Sequence, residues 1–296
     1  MRERSIQLSF DVEDWFQSPD LQHEIPRCRW TSTELRVGRN TEWILKTLDK
    51  AGAKATFFVL GWVAERLPDL VAQIGNAGHE IASHGYGHQP VHELSAAQFR
   101  NDIRTSKSVL EDLSGRSVVG YRAPRFSITA QAVDILAEEG FLYDSSHFPT
   151  RLRRVYGDIG GLCEADRISR LTSGLVEVPI ATLPILSMRF PWGGAGYFRL
   201  CPYSVFRRGI DSILSRTGLF VFYFHPWEID TGQPRARNVG LEFRLRHYLG
   251  LRKASAKLTE LIRHYPTTTI RSRLVQDGWL EGKRRAQRGS RLHQYR

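Results

Sequence analysis

Residues 6–16 read IQLSFDVEDWF, an apolar run that leads directly into three acids, Asp11, Glu13 and Asp14. The apolar part, residues 6–10, predicts a buried strand. Acids crowded at the end of a strand raise one another's pKa unless a cation or a hydrogen-bond donor compensates. A divalent metal would provide that compensation. The other explanation is a helix beginning here, because helix N-termini also favour acids.

The remaining strands and helices alternate along the chain. Apolar runs at residues 56–60, 80–82, 118–121, 141–143 and 219–224 predict strands, and amphipathic stretches between them predict helices. This alternation indicates parallel strands with crossover helices, in an open sheet or a barrel. Residues 150–200 are rich in Gly and Pro and predict mostly loops. Residues 241–264 predict one long amphipathic helix.

Polar residues with catalytic capability follow five of the predicted strands. In a parallel barrel the carboxyl ends of the strands converge on one face, where active sites form. We therefore expect one site containing Asp11, His84 with His88, Arg122, Asp144 and His225.

The two histidines of SHGYGH, His84 and His88, are spaced so that both rings can bind one metal if the loop turns them to the same side. His79 and His92 are nearby alternatives. His225 follows the apolar run LFVFYF, where partial desolvation suits a proton donor near neutral pH. Glu228 either orients His225 or caps the next turn.

Composition excludes several classes of protein. Hydrophobic residues make up 41% and charged residues 25%, as in ordinary globular proteins. The three cysteines, Cys28, Cys163 and Cys201, are widely spaced, which argues against a disulfide framework and a cysteine metal site. No apolar run is long enough to span a bilayer. Because no apolar segment precedes Asp11, we expect no signal peptide and a cytoplasmic protein.

The net charge of +11 is concentrated partly in residues 282–296, which have almost no apolar content. We expect a disordered basic tail over residues 278–296. Contact of this tail with the anionic face of the inner membrane is one hypothesis. No nucleic-acid-binding motif accompanies the charge, so a nucleic-acid partner is not expected.

Five motifs occur in the order SFDVEDWF, SHGYGH, RAPRF, YDSSHFP and FYFHPWE. Together they resemble the signature of polysaccharide deacetylases with a NodB-homology domain, carbohydrate esterase family 4, and in particular the branch near exopolysaccharide loci of bacteria with exosortase systems. The resemblance implies one domain over residues 1–277, with a branch-specific region at about residues 185–277. The implied fold is α/β, a distorted parallel (β/α) barrel with a C-terminal helical extension.

The resemblance also implies roles for the motif residues. Asp11 matches the catalytic base that activates water, and His84 and His88 match two metal ligands. The carboxylate ligand would be Asp14, with Glu13 as the alternative, because the family's two adjacent acids are separated here.

The later motifs match further roles in the same family. Arg122 would hold the base, and the backbone N–H of Arg125 would help to stabilise the oxyanion. Asp144 would tune His225, the general acid. The stretch PWGGAGYFRL, residues 191–200, would place its aromatic residues at the sugar site, and these are Trp192, Tyr197 and Phe198.

The implied function is metal-dependent removal of N-acetyl groups from amino sugars of a polysaccharide or glycan precursor, in exopolysaccharide biosynthesis. Zinc is the expected metal, and an N-acetylated hexosamine glycan is the expected partner. One alternative is a metal-independent cyclic-amide hydrolase similar to allantoinases. Another is a non-catalytic glycan-binding protein. The intact pair of His84 and His88 together with Asp11 argues against the first alternative. The presence of every expected catalytic residue type argues against the second.

Overall fold

The computed structural model describes residues 5–150, 156–157, 159 and 161–281. The strands are β1 (Ile6–Val12), β2 (Thr56–Val59), β3 (Glu80–Ser83), β4 (Gly120–Tyr121), β5 (Tyr143–Asp144), β6 (Ser169–Arg170), β7 (Val176–Glu177), β8 (Leu183–Ile185), β9 (Met188–Phe190), β10 (Val221–Phe224) and β11 (Thr267–Thr268). The helices are α1 (Val37–Lys50), α2 (Gly61–Arg66), α3 (Pro68–Asn76), α4 (Ala96–Ser114), α5 (Ala130–Glu138), α6 (Ala195–Leu200), α7 (Tyr203–Thr217), α8 (Leu241–Tyr248), α9 (Leu251–His264) and α10 (Ile270–Gln276). Short 3-10 helices lie between them.

The main sheet is parallel in the order β10-β1-β2-β3-β4-β5-β7, and β6 is added antiparallel at the end. Strand β11 also pairs with β1, through Ile6 and Gln7. The sheet curls so that its two ends approach each other. Ala181, just after β7, donates its N–H to the carbonyl of Val221 in β10 at 3.4 Å. Gly194 forms a bridge to Tyr223 of the same strand. The predicted distorted parallel barrel is therefore confirmed.

Local sequence signals explain where the elements begin and end. All seven residues of β1 are buried, as expected for a parallel strand covered on both faces. Helix α4 begins at the predicted capping box, in which Ser95 and Gln98 bond each other's backbone N–H at 3.3 and 2.9 Å. It ends at Gly115, which adopts a φ of 62°.

The predicted long helix over residues 241–264 is instead two helices, α8 and α9. Gly250 breaks it with a φ of 81°, and a Cβ there would lie 2.9 Å from the carbonyl of Arg199. Only glycine allows both that backbone angle and that close approach.

The C-terminal prediction is partly wrong. Residues 278–281 still pack against α10, where Trp279 donates its N–H to the carbonyl of Leu274 at 2.8 Å. The rest of the predicted tail, residues 282–296, lies outside the described residues. Within the described part of the chain, no helix is both long and apolar enough to cross a membrane.

Candidate active site

The predicted site residues gather at the carboxyl ends of the parallel strands. Asp11 lies in β1, and His84 follows β3 directly. Arg122 follows β4, and His225 follows β10. The parallel register brings these strand ends to one edge of the sheet, which is the geometry that builds active sites in parallel barrels.

Glu13, His84 and His88 form a buried cluster whose ligand atoms all lie within 4.8 Å of one another. The Nε2 atom of His88 is 2.6 Å from Oε2 of Glu13, and the Nε2 atom of His84 is 3.9 Å from it. Two imidazoles and one carboxylate are a donor set that leaves a coordination position open in catalytic zinc sites. The chemistry of these three side chains therefore fits a divalent metal.

His84 is fixed in the form that a ligand requires. Its Nδ1 atom lies 2.8 Å from the backbone carbonyl of Arg122. Since a carbonyl only accepts, Nδ1 carries the proton, and Nε2 is left free to face the cluster. Burial lowers the pKa of His84 to about 4, which favours the neutral ring.

Glu13 is held as a carboxylate. Burial alone would raise its pKa, but the neighbouring His88 and His225 hold the pKa well below its usual range. Trp227 adds a hydrogen bond, from Nε1 to Oε1 of Glu13 at 3.2 Å.

Asp14 does not belong to this cluster, so the structure corrects the prediction of Asp14 as the carboxylate ligand in favour of Glu13. One carboxylate oxygen of Asp14 accepts the backbone N–H groups of Arg36 and Val37 at 2.6 and 2.8 Å, where α1 begins. The other accepts the N–H of Trp15 at 2.8 Å. The reason is strand geometry, because side chains alternate across β1 and its extension. Asp11 and Glu13 therefore share one face, and Asp14 points away from it.

Arg122 holds Asp11 in place. Its guanidinium is fully buried and donates to Oδ1 of Asp11 at 2.7 Å and to the Oγ of Ser9 at 2.8 Å. Further bonds reach the carbonyl and the Oγ of Ser145 at 3.0 and 3.1 Å. These four bonds fix the fork of the guanidinium, and so they fix the orientation of the carboxylate.

His225 faces Asp11 and Glu13 from across the site. Its Nε2 atom is 3.9 Å from Oδ2 of Asp11 and 3.7 Å from Oε1 of Glu13. Its Nδ1 atom donates to Oε1 of Glu228 at 2.7 Å. Burial would lower the pKa of His225, but Glu13 and Glu228 raise it to about 9. His225 is therefore suited to carry a proton at neutral pH.

The partner of His225 is Glu228 and not Asp144, which corrects the role predicted for Asp144. Asp144 is buried in β5, several strands away from β10, and it accepts a bond from the Oγ of Ser146 at 2.6 Å. Its carboxyl lies beside that of Glu177, and burial raises the pKa of both acids. Glu228 both orients His225 and caps the following 3-10 helix, so both explanations offered for it apply.

A cavity of about 590 Å³ opens above these groups. Arg125 and Phe126 line it and both adopt a positive φ, 56° and 57°, which residues with side chains rarely do. Tyr197 also lines the cavity, and its role at a sugar site stays a prediction.

The prediction of Trp192 at the sugar site is wrong. Its side chain is buried, it stacks on Phe206 with ring centroids 5.2 Å apart, and its Nε1 donates to the carbonyl of Phe206 at 3.0 Å. Phe198 is also fully buried and packs against Phe206. Of the three predicted aromatic residues, Trp192 and Phe198 therefore pack in the core, and only Tyr197 lines the cavity.

Two segments of the chain match known families. Residues 3–143 match the family described as polysaccharide deacetylase, and residues 145–274 match a domain of unknown function, DUF3473. A peptidoglycan deacetylase-like protein of Gibberella zeae is 37% identical over 112 residues, which is 37% of this chain and 32% of that protein. A peptidoglycan-N-acetylglucosamine deacetylase of Bacillus cereus is 33% identical over 108 residues, covering 36% of this chain and 39% of the relative. The matched segments thus span well under half of these relatives.

Solved structures share the whole fold. One, a Mycobacterium smegmatis protein assigned as a polysaccharide deacetylase, has a TM-score of 0.63 at 21% identity and covers 92% of this chain and 89% of its own. The PuuE allantoinase has a TM-score of 0.58 at 16% identity, with coverage of 91% and 89%. At these identities the similarity establishes the fold alone.

Proposed function

We propose that the protein is a metal-dependent hydrolase that removes N-acetyl groups from amino sugars of a glycan. The match of residues 3–143 to the polysaccharide deacetylase family supports the proposal. One observation carries the proposal. A buried cluster of Glu13, His84 and His88 lies beside a carboxylate, Asp11, and an imidazole, His225. Nε2 of His225 is 3.9 Å from Oδ2 of Asp11 and 3.7 Å from Oε1 of Glu13. Metal-assisted amide hydrolysis uses this combination of a metal site, a base and an acid.

The metal would be held by Glu13, His84 and His88, with zinc as the proposed ion. When bound, such a metal polarises the acetyl carbonyl and lowers the pKa of water. Each remaining role falls to a side chain or backbone group of this chain.

Asp11 is the base that takes a proton from the attacking water. Its Oδ1 is occupied by Arg122, so Oδ2 is the oxygen directed toward the site and His225. As water adds to the acetyl carbon, negative charge develops on the carbonyl oxygen. The backbone N–H of Arg125, in the turn that lines the cavity, is proposed to stabilise that charge.

His225 is the acid that allows the amine to leave. The bond between the acetyl carbon and the sugar nitrogen breaks, acetate is released, and the nitrogen receives a proton from Nε2 of His225. With Nδ1 bonded to Glu228 and a pKa of about 9, the ring holds that proton at neutral pH.

The substrate class is proposed from the relatives. The Bacillus cereus relative is named for N-acetylglucosamine in peptidoglycan. We propose an N-acetylated hexosamine glycan for this chain and a role in exopolysaccharide biosynthesis. The volume of about 590 Å³ lies within the range typical of small-molecule sites.

Acetate release from N-acetylglucosamine oligomers tests the function, measured with and without a chelator. Asp11→Asn and His84→Ala should abolish release, and zinc should restore the chelated wild type. His92→Ala is the matched control, since His92 is an exposed histidine in the same segment. Acetate release that is insensitive to the chelator would refute the proposal, as would hydrolysis of allantoin without acetate release. Either result would favour the metal-independent cyclic-amide hydrolase. Zinc binding without release from N-acetylated glycans would favour a binding protein.

A further inference from the structure

A buried ion pair lies directly behind His225. The Nε atom of Arg199, in the last turn of α6, is 2.7 Å from Oε2 of Glu228, and the two side chains are only 3% and 2% exposed. The contact is an ion pair without a well-aligned hydrogen bond, and removing either partner would leave the other charge buried without its counter-ion. Neither residue was assigned a role by the motif resemblance.

Glu228 uses its two oxygens in different directions. Oε2 faces Arg199, and Oε1 accepts from Nδ1 of His225 at 2.7 Å and from the backbone N–H of His225 at 3.2 Å. Rotation of the carboxylate would break its two bonds with His225 or move its charge away from that of Arg199. As a result the His225 ring is held with Nε2 pointing at the site.

Arg199 is itself anchored to the end of α8. Its Nη1 donates to the carbonyls of His247 and Leu249 at 2.9 Å each, and its Nη2 donates to the carbonyl of Arg246 at 2.5 Å. These carbonyls belong to the last turn and C-cap of α8, which have no partner within the helix. A cation is favourable at this end of a helix. The planar guanidinium bonds the three carbonyls while its charge stays beside Glu228, and an ammonium cannot reproduce that arrangement.

A column of stacked rings connects α8 to His225 by a second route. Phe243 stacks on His247 at 4.9 Å, His247 on Trp227 at 4.2 Å, and Trp227 on His225 at 5.1 Å. The planes of successive rings differ by 21°, 9° and 16°. The bonds of Arg199 and the stacked rings both connect His225 to α8. This helix lies within the segment that matches a domain of unknown function.

We propose that Glu228 and Arg199 are positioning residues that aim Nε2 of His225 at the departing amine, with α8 as their support. This assigns part of the domain of unknown function to the active site. The proposal rests on the proposed deacetylase function.

The test compares two substrates on zinc-loaded enzyme. Release of acetate from N-acetylglucosamine oligomers requires protonation of an amine. Hydrolysis of 4-nitrophenyl acetate expels a stable phenolate and requires no such proton. Glu228→Gln should lower kcat on the oligomers about 100-fold, within the range of acid–base contributions. The loss on the ester should stay below about fivefold, and KM should change little.

Arg199 is tested by Arg199→Lys, because Arg199→Met would remove the counter-ion of the buried Glu228 carboxylate and endanger folding. Arg199→Lys keeps the charge and should retain part of the amide activity, with the same selective loss. Lys257→Gln is the matched control, because Nζ of Lys257 bonds three carbonyls of the same segment, those of Phe198, Arg199 and Cys201. Lys257 makes its contacts without touching Glu228, so its removal should not distinguish the substrates. Equal losses on both substrates in the Glu228 and Arg199 variants would overturn the proposal, as would no loss.

A second readout separates this proposal from the deacetylase function. Long-range ¹H–¹⁵N spectra of the metal-free protein report the state of the His225 ring nitrogens. We expect the Nδ1 signal to move in Glu228→Gln and Arg199→Lys and to stay in place in Lys257→Gln. Unmoved signals in all three variants would refute the positioning role even if deacetylation is found. If the wild type releases no acetate, the function fails, and the spectra still decide the positioning.

Discussion

Replacing Asp14 by Ala tests whether this acid supports the fold while Glu13 supports the metal. Asp14 accepts three backbone N–H groups, from Trp15, Arg36 and Val37, at 2.6 to 2.8 Å. At about 1–1.5 kcal/mol for each hydrogen bond removed, Asp14→Ala should lower the free energy of unfolding by about 3–5 kcal/mol. Burial raises the pKa of Asp14 to about 6, which shows that desolvation offsets part of this stabilisation. The lower end of the range is therefore expected.

Urea denaturation in the presence of chelator measures this loss without a contribution from bound metal. Competition with a chromophoric chelator then measures zinc affinity. Asp14→Ala should bind zinc as the wild type does once folded. Glu13→Gln should bind zinc at least about tenfold more weakly. The reasoning is refuted if Asp14→Ala loses zinc at unchanged stability while Glu13→Gln keeps it.

Three further changes probe the base, the sugar site and the acid limit of stability. Arg122→Lys should lower kcat about 100-fold at similar KM in steady-state kinetics, because an ammonium cannot reproduce the four-bond fork; an unchanged kcat would contradict this. Trp192→Leu should cost about 2–4 kcal/mol in thermal unfolding and leave KM unchanged, whereas Tyr197→Ala should raise KM; the opposite pattern would return Trp192 to the sugar site. Burial would raise the pKa of Asp230, but its bonds with Arg36 lower the pKa from 3.8 to about 2. That stabilisation is complete above about pH 4 and is lost as the pH falls toward 2. Asp230→Asn should therefore unfold with a shallower pH dependence in that window, and identical acid-denaturation slopes would count against it.

Much of the site was predictable because parallel topology converts sequence position into spatial proximity. Asp11, His84, Arg122 and His225 each follow an apolar run, and the structure brings them to one edge of the sheet. Strand periodicity also bears on the choice between Glu13 and Asp14. Alternation alone places Asp11 and Glu13 on one face and Asp14 on the other, which would have singled out Glu13.

Other features depend on contacts distant in sequence and could not be predicted. The break between α8 and α9 reflects the approach of Gly250 to the backbone of Arg199, about fifty residues earlier. Trp192 is a core residue because α7 supplies Phe206 as its partner. Asp144 follows a strand as the other site residues do, but the neighbouring strand places Glu177 beside it. The apolar pattern of a sequence does not reveal which strand ends of a sheet lie next to the cavity.

The pairing of β1 limits how this protein can be divided into fragments or combined into chimeras. The two family matches meet between residues 143 and 145, yet β1 of the first segment pairs with β10 and β11 of the second. A fragment ending at residue 143 would present β1 to solvent as a bare apolar edge, a known route to aggregation. The two matched segments therefore share one sheet, and a chimera that exchanges only one of them must preserve the pairing of β1 with β10 and β11.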